Sequence, residues 1–160
     1  MLASSVMTDN EKLIQTFYTA FQNKDFLTMQ RSYHPEAQFS DPVFTSLNST
    51  EVKAMWQMLI SAGKDLRIDF KDIKGDDKRG SCHWEAWYTF SRTGKKVHNI
   101  IEASFEFQDG LILTHKDNFN FWRWSRQALG IAGSLLGWSP FLKNKIRATA
   151  ASGLQKFMKR

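Results

Sequence analysis

The sequence predicts an α+β fold: three N-terminal helices, a four-strand antiparallel meander, and a helical C-terminal extension. Three observations carry this. Up to about residue 62 the apolar residues recur at spacings of three and four, the helical pattern. From Leu66 to about Trp122 they alternate with polar ones, the strand pattern. Over residues 141–159 the helical spacing returns.

In chain order, residues 1–7 carry no cation and no long apolar run, so they read as a flexible lead and not as a signal peptide. Thr8 or Asp9 can cap a first helix whose stripe is Leu13, Ile14, Phe17, Tyr18 and Phe21. A second helix is expected over Phe26 to Tyr33, ended by His34-Pro35 because a residue before proline is pushed out of the helical region. Gln38-Phe39-Ser40 reads as a short strand leading into Asp41-Pro42. Ser49 is expected to cap a third helix over Glu51 to Ala62, stopped at Gly63. In the meander, Leu66, Ile68 and Phe70 share one face, as do Cys82, Trp84, Ala86, Tyr88 and Phe90, and Ile101, Ala103, Phe105 and Phe107. Arg92-Thr93-Gly94 and Gln108-Asp109-Gly110 turn the chain. The last strand is expected from Leu111 to about Trp122. Residues 127–138 hold Gly130, Gly133 and Gly137 and read as a weak helix or two short turns.

The chain has 160 residues, 42% of them hydrophobic and 24% charged, which suits one globular domain. Aromatic residues make up 14%, more than a small core needs, and imply a large apolar pocket or interface. Cys82 alone cannot form an internal disulfide, so a cytoplasmic location is expected. The net charge of +6 is unevenly placed. Asp117 is the last acidic residue; beyond it lie eight Lys and Arg and no carboxylate, whereas residues 1–117 carry a net of −2. A nucleic-acid-binding core is therefore not expected.

Candidate chemistry concentrates on the last strand. His115 and Asp117 are two residues apart and share a face with Leu113 and Phe119. Burying two ionisable groups there requires partners, either each other or a polar pocket. Asp41, flanked by Phe39 and Val43, is a candidate acid or base if it stands in an apolar cleft, and a turn residue otherwise. The histidines His34, His83, His98 and His115 show no zinc-ligand spacing, and Cys82 falls on the apolar parity of its strand. No phosphate-binding loop or nucleophile elbow is present. No cofactor and no metal are expected.

Over roughly residues 8–122 the chain resembles the nuclear transport factor 2-like superfamily. The resemblance rests on Phe17-Tyr18-Thr19-Ala20-Phe21 to Lys24-Asp25-Phe26 and on Tyr33-His34-Pro35-Glu36-Ala37-Gln38-Phe39-Ser40-Asp41-Pro42. The ending Gly110-Leu111-Ile112 to His115-Lys116-Asp117-Asn118-Phe119 is similar to the last strand of its SnoaL-like branch. The resemblance implies a cone: a bent sheet wrapped around the helices, with a deep pocket for a small apolar or aromatic molecule. It implies as lining residues Phe17, Phe21, Tyr33, Trp56, Trp84, Tyr88, Asn99, Ala103 and Phe119, beside Asp41, His115 and Asp117 as acid/base candidates. It also implies a homodimer through the convex sheet face.

The branches of this superfamily differ in their chemistry. The ketosteroid isomerases need a carboxylate base, which Asp41 matches, and two oxyanion donors whose positions fall at Phe17 and Ala103. Neither side chain can donate, so that route is excluded unless His115 substitutes. The polyketide cyclases use an Asp on the last strand, which Asp117 matches, with His115 beside it. The limonene epoxide hydrolases need an Asp–Arg–Asp relay, and no Arg lies on the predicted concave face of residues 80–121.

Two function classes follow: acid/base catalysis of isomerase or cyclase type, or non-catalytic ligand binding. In the second, the basic segment 123–160 is the contact surface for a membrane or a partner, or packs back on the domain.

Overall fold

The computed structural model describes residues 6–160; most of the lead over residues 1–7 lies outside the described residues. Thr8 opens helix α1 (Asp9–Gln22) with a reciprocal capping box to Glu11. Ile14, Phe17, Tyr18 and Phe21 form its buried stripe. Helix α2 (Phe26–Arg31) is capped by Asp25 and is shorter than expected. Tyr33 is not its last residue but the first of strand β1 (Tyr33–Ser40), which runs extended through Pro35. Proline fits there because it lacks only a donor, and its own preference and that of His34 are extended. Strand β2 (Leu47–Asn48) follows, and Asn48, not Ser49, caps helix α3 (Ser49–Ala62) through a second capping box with Glu51.

The meander comprises β3 (Arg67–Gly75), β4 (Arg79–Phe90), β5 (Lys95–Gln108) and β6 (Leu111–Asn118). The sheet order is β2-β1-β6-β5-β4-β3, antiparallel throughout except for the parallel pair β1–β6. Asp109 and Gly110 both have positive φ, 56° and 73°, so β5 and β6 are joined by the tight mirror-image turn that matches strand twist.

Strand β6 differs from its predicted parity at one end. Phe105 faces His115 and Phe107 faces Ile112, so β6 has one extra residue there, a bulge at Leu113. The bulge turns Ile112 inward, fully buried, and leaves Leu111 and Leu113 half-exposed. The strand also ends at Asn118 instead of Trp122. Asn120 accepts a hydrogen bond from the Arg123 amide and starts a new helix, α4 (Phe121–Leu129).

Gly130, with φ of 66°, turns the chain sharply into α5 (Ile131–Leu136). Ser139 then caps α6 (Pro140–Met158), which has proline in its first turn. Helix α6 packs beside α3; Leu154 is 1% exposed in the main core, with Met158 against it. Ile146 packs on a second cluster formed by Val97, Phe121, Trp124 and Ala128. Burial of one such leucine contributes roughly 1.5–3 kcal/mol to docking the basic segment on the domain. No helix among the described residues is long and apolar enough to cross a membrane.

Candidate functional site

Strand alternation points His115 and Asp117 into the cone, 0% and 3% exposed. Their hydrogen bonds form one chain. Trp56 Nε1 donates to the Tyr33 hydroxyl at 2.8 Å, that hydroxyl lies 2.8 Å from His115 Nδ1, and His115 Nε2 lies 2.9 Å from Asp117 Oδ1. Trp84 Nε1 donates to the same carboxylate oxygen at 3.3 Å. The protonation pattern follows by elimination. Indole N–H can only donate, so the tyrosine oxygen accepts from Trp56, and its own proton needs an acceptor. The neutral imidazole with hydrogen on Nε2 provides one at Nδ1 and donates to Asp117. An imidazolium would leave the buried tyrosine proton unpaired. The chain holds the His115 ring between Tyr33 and Asp117, and Asp117 keeps its second oxygen free of hydrogen bonds among the described residues.

The parallel pairing of β1 with β6 brings in Asp41. Phe39 stands beside His115 and Ser40, the last residue of β1, beside Lys116; Asp41 follows, close enough for the charge of Asp117 to act on it. Its Oδ1 accepts from the amides of Val43 and Phe44 at 2.7 and 2.6 Å, a turn that Pro42 helps to close. Its Oδ2 accepts nothing among the described residues. Burial pushes the Asp41 carboxyl up to about 7, with the negative charge of Asp117 adding to the rise. The two backbone amides and the nearby Arg147 pull the other way without cancelling it. At neutral pH this carboxyl is divided between its acid and base forms, the condition that suits proton transfer.

Two further polar groups share the concave face. Tyr88, on β4, accepts a hydrogen bond from Trp124 Nε1 at 2.7 Å. Its own proton has no acceptor among the described residues. Burial pushes its pKa up to about 12, with the charge of Asp41 contributing, so it is a donor at neutral pH. Asn99, on β5, is 7% exposed, and its amide makes no side-chain hydrogen bond among the described residues. Phe119, half-buried, continues the face beyond Asp117. Such buried polar groups with unused hydrogen-bonding capacity mark a place for a polar ligand atom or water.

The other predicted lining residues lie deeper and touch each other. Ring centroids of Phe17 and Trp56 are 6.0 Å apart, those of Phe21 and Trp84 5.5 Å, and those of Trp56 and Trp84 6.2 Å. Tyr33 and Ala103 are buried with them. Phe17 lies edge-on to His115 and offers no donor; Ala103 sits opposite Asp117 in the β5–β6 register and offers none either.

Three contributors escape a sequence reading. Arg147, from α6, donates through Nε at 2.9 Å to the carbonyl of Pro42, 105 residues earlier in the chain, and brings a cation to Asp41. Trp124 positions Tyr88. Tyr18 is fully buried, and its hydroxyl has no partner among the described residues. Its position in the α1 stripe signals burial but not the fate of the hydroxyl. Since an unpaired buried hydroxyl costs roughly 1–3 kcal/mol, Tyr18→Phe is expected to leave stability unchanged or raise it by about 1 kcal/mol. Tyr33→Phe breaks the Trp56–His115 chain and is expected to lower it by a similar amount or more. Urea midpoints of the two variants check the opposite signs.

The remaining titratable candidates sit elsewhere. His83 and His98 lie on the convex face, in a network with Glu85 and Glu102. The two carboxylates hold the His83 pKa above the usual histidine value. His34 lies near the β5–β6 turn, 3.5 Å from Asp109. Cys82 is buried and its thiol is pushed up to about 12 by desolvation, which suits packing and not nucleophilic attack. Among the described residues no group of three or more His, Cys, Asp and Glu is arranged to hold a metal ion.

Comparison with known proteins agrees with this architecture. A structure of an NTF2-like protein of unknown function from Burkholderia pseudomallei K96243 superposes with a TM-score of 0.63 at 16% identity, covering 71% of this chain and 92% of that one. IdmH of Streptomyces antibioticus, a proposed polyketide cyclase, gives 0.64 at 19% identity, covering 78% and 100%. An LEH-like epoxide hydrolase of M. tuberculosis gives 0.60 at 16%, covering 82% and 97%. At these identities the likeness establishes the fold. A search among curated proteins gave no significant match. The model of the SnoaL-like domain matches residues 14–115, well over half of the sequence, and the chain belongs to that family.

Proposed function

We propose that the protein binds a small apolar, ring-bearing molecule at Asp41, Asp117, Tyr88 and Asn99 and carries out general acid/base chemistry on it, of isomerase or cyclase type. The observation that carries the reading is the pair of neighbouring carboxylates. Asp41 titrates near neutrality, and each of the two keeps one oxygen free among the described residues. In the cyclising form, one carboxylate takes the proton from a carbon next to a ketone. The resulting enolate carbon bonds to a second carbonyl carbon of the same molecule, and the new alkoxide takes a proton back. Tyr88 and Asn99 supply donors for the developing negative oxygen. His115 acts as a positioning residue through Asp117.

Arg147 favours a second reading. A cation near the Asp41 carboxyl can help to hold and polarise a water, as hydrolysis of an apolar electrophile such as an epoxide requires. A homodimer through the convex face belongs to the proposal as well; it would cover the network of His83, Glu85, His98 and Glu102, and sedimentation equilibrium reads it directly.

The test is a panel of polycyclic diketones and apolar epoxides, scored by thermal shift and by mass change of the product. Asp41→Asn is expected to retain binding and to lose turnover at least about a hundredfold, the usual weight of a general acid or base. Turnover surviving in both Asp41→Asn and Asp117→Asn, or binding by no member of either class, overturns the reading.

A further inference from the structure

The segment that joins α4 to α6 is built inside out. Ile131, Leu135, Trp138 and Phe141 are 64–79% exposed, and Trp122 and Leu136 beside them are also turned outward. The residue of α5 buried against the protein is Gly133, and Gly137, which ends the helix, is buried as well. A Cβ on Gly133 would stand 1.9 Å from the Ser125 carbonyl oxygen, and one on Gly137 would stand 2.2 Å from Ser125 Oγ. The α4–α5 contact therefore excludes larger side chains. Ser125 is fully buried in it, and Trp122 Nε1 donates to the Ser134 carbonyl at 3.2 Å, fixing the two helices together. A segment optimised for water would bury its leucines and expose its glycines. This one holds small residues inward and presents six large apolar side chains as one platform.

Charge identifies what the platform meets. Residues 118–160 hold eight Lys and Arg and no Asp or Glu. Arg126 lies over the Trp122 ring at 4.6 Å. Exposed Lys145 follows Phe141 along α6. Apolar and indole side chains rimmed by cations, with no carboxylate in reach along the segment, fit an anionic lipid surface. The rings and aliphatic groups enter the acyl boundary while Lys and Arg meet the head groups. We propose that the α5–α6 corner, centred on Leu135, Trp138 and Phe141, is a membrane-interface insertion site specific for anionic bilayers. The patch is independent of the Asp41 site; an apolar ligand partitioned into the same bilayer would meet the protein next to α6, whose Arg147 touches that site.

The full chain is tested by co-sedimentation with vesicles of phosphatidylcholine alone and of phosphatidylcholine mixed with phosphatidylglycerol. Binding is expected to the mixed vesicles, weakened by salt and by about fivefold when Lys145 is changed to Gln. The double variant Trp138→Ser, Phe141→Ser is expected to weaken binding at least about tenfold, because a single anchoring signal gives only marginal attachment. Both side chains are about three-quarters exposed, so an unchanged circular dichroism spectrum and melting temperature should accompany the loss. Failure to bind either vesicle overturns the proposal, as does binding that ignores the double variant. A concentration-dependent dimer that the same variant abolishes, without vesicle binding, assigns the patch to a second copy of the chain and also overturns it.

Discussion

Replacing Asp41 with asparagine is expected to make the folded protein more stable above neutral pH while removing its acid/base group. The Asp41 carboxyl rises from 3.8 to about 7 on folding, because burial and the neighbouring charge of Asp117 disfavour its ionised form. Between these values the folded protein holds a proton that the unfolded chain has released. Stability therefore falls as pH climbs through that window, and the penalty is complete above about 7. A shift of this size corresponds to about 4 kcal/mol at most. Asparagine carries no charge, and its Oδ1 can still accept from the amides of Val43 and Phe44. Urea denaturation of the two proteins should thus nearly coincide below the ordinary aspartate range and separate in favour of the variant above neutrality. Equal differences at both extremes would mean that folding does not raise the Asp41 carboxyl. A destabilising carboxylate retained in a cleft is the usual sign of function taking precedence over stability.

Truncating His115 to alanine is expected to cost about 3–5 kcal/mol. Two effects add. The imidazole fills space among Phe17, Phe39 and Phe105, with ring centroids 4.5–5.8 Å away, so its removal leaves a cavity. It also pairs with both the Tyr33 hydroxyl and the Asp117 carboxylate, which alanine leaves facing each other across a gap. The urea midpoint reads the loss. The tautomer deduced from the same chain is read separately by long-range nitrogen–proton correlation, where Nε2 should carry the hydrogen and Nδ1 should report as an acceptor. A doubly protonated ring would remove the orienting role assigned here.

Much of this architecture is legible in the sequence because it rests on local periodicity. The α1 stripe of Ile14, Phe17, Tyr18 and Phe21 and the alternation of Cys82, Trp84 and Ala86 each need only one buried face, and a residue's face follows from its count along the element. Asp117 and His115 pointing inward together follows in the same way. Where the count is interrupted, the reading drifts. The bulge at Leu113 reverses parity for Ile112, and a helix start at Asn120 cuts the strand short of Trp122. Tyr33 moves from a helix end to a strand start because pairing with Ile112 outweighs weak local helix preference.

The composition of the last quarter, cationic and glycine-punctuated, is likewise a property of the sequence alone. Its geometry is not. That Gly133 and Gly137 turn inward while the leucines of α5 turn outward depends on the close approach of Ser125, and that Arg147 reaches the Pro42 carbonyl depends on where Leu154 docks α6. The site divides in the same way. The sequence determined the family fold, the inward face of each regular strand and the identity of Asp41, His115 and Asp117 as candidates. Only the tertiary structure brought Asp41 near Asp117 at the end of the parallel β1–β6 pairing, linked His115 to Tyr33 and Trp56, and placed Trp124 against Tyr88 and Arg147 near Asp41. Contacts between residues tens of positions apart depend on register and packing, and neither is encoded in the spacing of any one segment.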